Sequence, residues 1–219
     1  YGYMDSDTGE YTGFDLELAQ AVCDMEGWEL VKTPIEWASK DAELNNGNID
    51  CIWNGFTING KEDKYEWSDP YVNNQQVVVV AKNSGITKLA DLKDKYVAAQ
   101  SASAALQLLQ KGGDQEKLGK TFKEIQEFPD YNTAFSELEA GTVDAVAMDA
   151  KYQVNNRNSN YVILDENLNS EQYGIGFKKG NTELRDKVNA DLKKLYDEGK
   201  VDELAKKYGI EDMICLGDK

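Results

Sequence analysis

The chain has 219 residues, of which 41% are hydrophobic, enough for one large domain or two of about 100 residues. Its 24 Lys and Arg against 40 Asp and Glu give a formal net charge of -16, which speaks against nucleic acid and against an anionic membrane surface as partners. The absence of histidine removes any imidazole base, and the 3 cysteines, scattered and without a CxxC, argue against a metal cluster.

The opening residues Tyr1-Gly2-Tyr3-Met4 read as chain already inside a fold, so a strand is expected upstream. An export signal would have been removed, and no apolar run of about 18 residues occurs. Asp5, Ser6, Asp7 and Gly9 mark turns. Phe14, Leu16, Leu18, Ala19, Val22 and Cys23 recur at helical spacing, with Thr12 or Asp15 placed to cap that helix and Gly27 to end it. Leu30-Val31 begins a strand confined by Pro34, residues 37–44 form a short helix, and residues 49–52 form the next strand. Residues 11–52 thus alternate α-β-α-β, which predicts a parallel sheet covered by helices. Past Ile52 the chain breaks into Trp53-Asn54-Gly55, then Thr57, Asn59 and Lys61. An Asn-Gly just beyond a strand is either a plain turn or the floor of a ligand site.

The run Val77-Val78-Val79-Val80 within residues 75–81 predicts a strand buried on both faces. Residues 89–95 read as a helical turn and 96–99 as a strand. Residues 101–109 start a helix whose small hydroxyl residues either hold an anion or only cap it. Strands at 122–128 and 143–148 flank a helix at 131–139 that Gly141 stops, so a second β-α-β-α-β unit follows the first. A short strand at 174–177 and apolar-faced helices at 184–196 and 201–208 finish the chain. The pattern predicts one lobe from residues 1–80 and 174–219, another from 85–168, and crossings near 80–85 and 168–174.

Among the chemistry-bearing residues, Asp149 ends a strand, where a carboxylate suits either a ligand ammonium or a helix cap. Lys61, amid Glu62, Asp63 and Lys64, is either a surface lysine or a site cation. Tyr1, Trp37 and Trp53 are either core or a clamp for a ligand side chain. Cys23 and Cys51 sit where cysteine acts as a small hydrophobe, and one disulfide would leave a thiol over. Neither a GxGxxG nor a GKS/T loop occurs, so no nucleotide cofactor is expected, nor any catalytic or metal-binding residue.

The segment Asn54-Gly55-Phe56-Thr57-Ile58-Asn59, then Lys61, then Trp67-Ser68-Asp69-Pro70-Tyr71 resembles the polar amino acid group of substrate-binding proteins from bacterial ABC importers, the extracellular solute-binding protein family 3. Residues 12–19, 50–55, 97–104 and 172–177 followed by Lys179-Gly180 extend the likeness, in order, over nearly the whole chain. The resemblance implies an α/β, type II periplasmic-binding-protein-like fold, with two lobes, a two-strand hinge and a ligand cleft. It implies that Tyr1 and Trp37 cover the ligand, and that Asn54, Gly55 and Thr57 bind its α-ammonium and α-carboxylate. Lys61 stands for the family's carboxylate-gripping arginine, one residue nearer to Thr57. A lysine offers a point charge where arginine offers a planar fork. Ser103 and Ala104 stand where the family has a Gly-Ser/Thr-Thr helix start, Asp149 matches the carboxylate that meets the α-ammonium, and Gln100 faces the ligand side chain. The family begins with a strand that this chain lacks. The implied protein is a monomer, with no cofactor, in the periplasm or lipid-anchored outside the cell membrane, which delivers an amino acid to a membrane permease. Arg, Lys, Gln, His and cystine stay open as ligands. A dehydratase-like enzyme on the same fold and a ligand-sensing module are the alternatives.

Overall fold

A computed structural model describes residues 1–149 and 160–217. The chain divides into two compact units: Tyr1–Ile35, Ser39–Asn74 and Glu171–Lys219 make one, and Glu36–Ala38 with Gln75–Ser170 the other. Two strands, Val72–Ala81 and Asn169–Tyr173, carry the main chain from one unit to the other.

In the first unit, helix Phe14–Glu26 buries Phe14, Leu18, Ala19 and Val22, the apolar stripe of its sequence. Gly27 ends it in the left-handed region, at φ 69, with its N–H on the Cys23 carbonyl. Neither Thr12 nor Asp15 caps its start. Gly13 holds that position at φ 125, and a Cβ there would fall 2.0 Å from the Tyr1 carbonyl oxygen. Asp15 is instead turned inward, for a reason given below.

Leu30-Val31 makes no ladder, and Val31 is 71% exposed. No described strand runs beside it to exchange hydrogen bonds. The parallel sheet expected from residues 11–52 is therefore replaced by a small antiparallel one. Its centre is Gly176–Phe177, paired to Cys51–Ile52 on one side and Glu66–Trp67 on the other. Glycine at 176 is required by its neighbour, since a Cβ would lie 2.6 Å from the Phe56 ring. That ring packs 4.7 Å from Trp67 and 5.0 Å from Tyr65. Residues 37–44 form a 3-10 turn, Trp37–Ser39, followed by helix Lys40–Asn45. Helices Thr182–Asp197 and Lys200–Tyr208 pack against Phe14–Glu26 through Val188, Leu192, Leu195, Val201, Leu204 and Ala205.

The second unit is built on a sheet ordered Asn169–Tyr173, Val72–Ala81, Ala145–Met148, Tyr96–Gln100, Glu124–Phe128, with Tyr161–Ile163 also paired to Val72–Ala81. Tyr96–Gln100 is parallel to both of its neighbours, and Val72–Ala81 antiparallel to Ala145–Met148. The valine run is buried on both faces, as alternation requires. Val78 and Val80 pack with Leu92, Leu109 and Phe122, while Val77 and Val79 pack with Phe135 and Leu138. Helix Tyr131–Ala140 starts under the Asp130 carboxylate, which accepts from the Thr133 N–H, and stops at Gly141. Among the described residues no helix is long and apolar enough to cross a membrane.

Candidate functional site

The segment after strand Cys51–Ile52 is fixed by three polar contacts. Asn54 grips the main chain of Gly2 from both sides: its Oδ1 accepts the Gly2 N–H at 2.7 Å and its Nδ2 donates to the Gly2 carbonyl at 2.9 Å. The Gly55 N–H donates to Asp15 Oδ2 at 2.7 Å, and the Tyr71 hydroxyl donates to Asp15 Oδ1 at the same distance. Asp15 is fully buried, so these two donors replace its lost water. The Asn54 side chain and the Gly55 amide thus build the loop. Both residues, expected to meet a ligand, make these hydrogen bonds within the unit.

Beyond this floor lies a buried polar set. The Thr57 hydroxyl donates to Glu171 Oε2 at 3.0 Å, and Asn74 Nδ2 donates to Glu171 Oε1 at 3.0 Å and to the Tyr173 hydroxyl at 2.7 Å. Tyr1 completes it: its hydroxyl donates to Asn74 Oδ1 at 2.9 Å, and its ring stands edge-on to Tyr173 with centroids 5.0 Å apart. Tyr1 is only 3% exposed, with its polar tip anchored on Asn74.

Lys61 folds back over this set. Its ammonium makes a long hydrogen bond, 3.5 Å, to the Thr57 carbonyl and lies 5.9 Å from the Phe56 ring centre. Burial lowers the Lys61 pKa, with the Glu171 charge as the main opposing influence and Lys40 and Lys64 adding to the fall. Glu62 is directed elsewhere, accepting the Gly60 N–H at 3.1 Å on the exposed side of the turn. Of the two neighbouring residues, Lys61 is the one that reaches the polar set.

The second unit gathers three of the expected residues at one sheet end. Ala99 pairs with Ala147 across two parallel strands, so Ser101 and Asp149, each two residues on, leave the sheet side by side. Ser103 caps helix Ala104–Leu109, its Oγ accepting the Leu106 N–H at 3.2 Å. Ala102 before it takes φ 58, unusual for a residue with a Cβ. Gln100 Nε2 donates to the Pro129 carbonyl at 3.1 Å. Asp149 is half-buried, and the segment it would cap lies outside the described residues. Trp37 is half-buried in its own 3-10 turn, apart from Thr57 and Lys61 in the division of the chain. Among the described residues no cluster of His, Cys, Asp and Glu could hold a metal ion.

Residues 1–211 match the model of a protein family, the bacterial extracellular solute-binding proteins, family 3. This chain belongs to that family. A glutamine-binding protein of an ABC transporter from Bacillus subtilis (strain 168) is 31% identical over 97% of the chain and 78% of its own length. The crystal structure of an ABC uptake transporter substrate-binding protein from Streptococcus pneumoniae with bound histidine superposes with a TM-score of 0.88 at 32% identity, over 97% of this chain and 89% of that one. An ancestral arginine-binding protein bound to glutamine superposes with a TM-score of 0.83 at 32% identity, over 96% and 93%. The fold is the type II periplasmic-binding-protein-like fold. In this family-3 chain, Glu171 and Asn74 are the polar-set members that sequence reasoning passed over. The available signal was polar residues inside strands: Asn74 and Gln76 share one face of Val72–Ala81, and both are buried.

Proposed function

We propose that this chain is the extracytoplasmic amino-acid-binding component of an ABC importer, a monomer that does no chemistry on its ligand and hands it to a membrane permease. The observation that carries this reading is the buried set Thr57, Asn74 and Glu171, with half-buried Lys61 beside it. A lysine held against the cost of burial, beside a hydroxyl and a carboxylate, suits recognition of a charged zwitterion. In this reading Thr57 and Lys61 meet the α-carboxylate, and the second unit brings Ser103 and the helix start at Ala104 to the same group. Asp149 meets the α-ammonium, while Gln100, Trp37 and Tyr1 serve the side chain. The two strand crossings, Val72–Ala81 and Asn169–Tyr173, serve as the hinge. The relatives that bind glutamine and histidine favour a polar α-amino acid as ligand.

Isothermal titration with each common L-amino acid tests the proposal. At least one should bind with Kd below about 10 μM, and Lys61→Ala and Asp149→Ala should each weaken it at least about tenfold. The ligand should be recovered unchanged by mass spectrometry. No heat and no melting shift with any amino acid, or a turned-over product, would refute it.

A further inference from the structure

We propose that a cleft on the second unit, floored by Leu89, Ala90 and Leu118 and flanked by Lys93 and Lys117, docks an acidic amphipathic segment of a partner protein. The cleft holds about 560 Å³, within the range of recognition pockets. All of its lining residues belong to Gln75–Ser170. The inference therefore does not depend on Thr57, Lys61 or the amino-acid reading.

One wall of the cleft is the 3-10 turn Leu89–Leu92, and the other is helix Glu116–Gly119. Two glycines seat the second wall against helix Ala104–Leu109. A Cβ at Gly113 would fall 2.1 Å from the Gln107 carbonyl oxygen, and one at Gly119 2.0 Å from that of Leu109. The walls are joined where the Asp94 N–H donates to the Thr121 carbonyl at 2.9 Å. Glu166 Oε2 holds the start of the first wall by accepting the Leu89 N–H at 2.7 Å. Gln115 Nε2 ties the second to the Leu168 carbonyl at 2.8 Å. Leu89 and Leu118 are half-buried, packed against the core cluster that contains Leu92, Leu109 and Phe122. The faces they leave open are the apolar floor.

Charge selects the occupant. The chain carries -16 overall, yet residues 82–123 hold eight lysines against four acidic residues. The carboxylates around the cleft are engaged locally. Asp91 accepts the Thr87 and Lys88 N–H groups, both at 3.0 Å, and Glu116 accepts the Gly112 N–H at 2.8 Å and pairs with Lys120. Glu166 is committed to Leu89. Lys93 and Lys117 are exposed, and among the described residues neither ammonium has an ion-pair partner. Two free cations beside an apolar floor complement carboxylates that alternate with apolar side chains. The lysine stems can lie along that floor while their heads stay in water. A flat anionic membrane is a poorer match, since it would face the negative charge of the whole chain, whereas one segment meets only the cleft.

The test follows the fluorescence anisotropy of a short fluorescein-labelled peptide of alternating glutamate and leucine, titrated with the purified full chain. The peptide should bind with Kd below about 100 μM in about 50 mM salt, and at least about fivefold more weakly in about 300 mM salt. The matching lysine-leucine peptide should not bind. Lys93→Glu combined with Lys117→Glu should weaken binding at least about tenfold. Ala90→Gln, which fills the floor without changing charge, should weaken it at least about threefold. Lys206→Glu, at an exposed position of the first unit, should leave it unchanged. The three positions changed in the second unit are exposed, so these variants should melt with the parent chain. No binding of the acidic peptide, no loss in the double variant, or an equal loss in Lys206→Glu would overturn the proposal. So would binding to phosphatidylglycerol vesicles that the double variant abolishes, which would make the cleft a lipid site. A dimer in sedimentation that the double variant disperses would overturn it in favour of a contact between copies.

Discussion

Replacing Glu171 with alanine probes the polar set at its centre. The carboxylate is 3% exposed and accepts from Thr57 Oγ1 and Asn74 Nδ2, both at 3.0 Å. Alanine offers no acceptor, so two buried donors lose one, at about 1–3 kcal/mol each. Asn74 keeps its bond to the Tyr173 hydroxyl at 2.7 Å, which puts its share at the low end. Lys61 loses the opposite charge that offsets its burial. Together these give a destabilisation of about 3–5 kcal/mol, the scale of breaking a buried charge pair from one side. Glu171→Gln keeps one amide oxygen for one of the donors and should cost about half as much. Urea unfolding followed by tryptophan fluorescence reads this directly, because Trp28, Trp53 and Trp67 all belong to the first unit. The alanine variant should shift the midpoint by about 1 M or more. A loss below about 1 kcal/mol would refute the argument that Glu171 anchors Thr57, Asn74 and Lys61.

Asp15→Ala should cost about 2–4 kcal/mol, since it strips the buried Gly55 N–H and Tyr71 hydroxyl of their acceptor; an unchanged urea midpoint would contradict this. Gly13→Ala should destabilise by at least about 2 kcal/mol, because the new Cβ would meet the Tyr1 carbonyl oxygen at 2.0 Å; a wild-type melting temperature would show that this contact is easily relieved. For Asp191 the prediction is a pH dependence. Burial foremost, then the hydrogen bond and charge of Glu26, push its carboxyl up to about 6. In the unfolded chain it titrates near about 4, so the folded state holds this proton more tightly. The group's favourable contribution is complete below the unfolded value and is lost as pH rises through about 6. Asp191→Asn should therefore flatten the fall in melting temperature between about pH 4 and 6, and a variant that keeps the wild-type slope would exclude Asp191 as its source.

The elements with a strong local signal were legible in the sequence. The valine run, the helix stops at Gly27 and Gly141 and the apolar faces of the last two helices each follow from short-range pattern, and each stands where that pattern puts it. Leu30-Val31 has strand composition but no strand, because a ladder depends on a partner that composition does not record. Asp15 looks like a capping residue in the sequence, since an acidic residue at a helix start has the same local appearance whether it faces water or the Gly55 amide. The polar set was legible only in part. Thr57 and Lys61 stood out beside the Asn-Gly break, whereas Glu171 and Asn74 lie 97 positions apart and meet only through the pairing of two strands.

The division of the chain also sets an order of assembly during synthesis. The second unit comes almost entirely from one continuous stretch, Gln75–Ser170, whereas the first needs Glu171 and the helices beyond it. Thr57 and Asn74 leave the ribosome more than a hundred residues' and nearly a hundred residues' worth of translation before their acceptor does. Until then their donors are satisfied by water, and Gly176–Phe177 is not yet present to join Cys51–Ile52 to Glu66–Trp67. The half of the molecule that carries Lys61 is thus completed last, by its C-terminal segment. A product that stops before Glu171 lacks both the acceptor of Thr57 and Asn74 and the strand that joins Cys51–Ile52 to Glu66–Trp67.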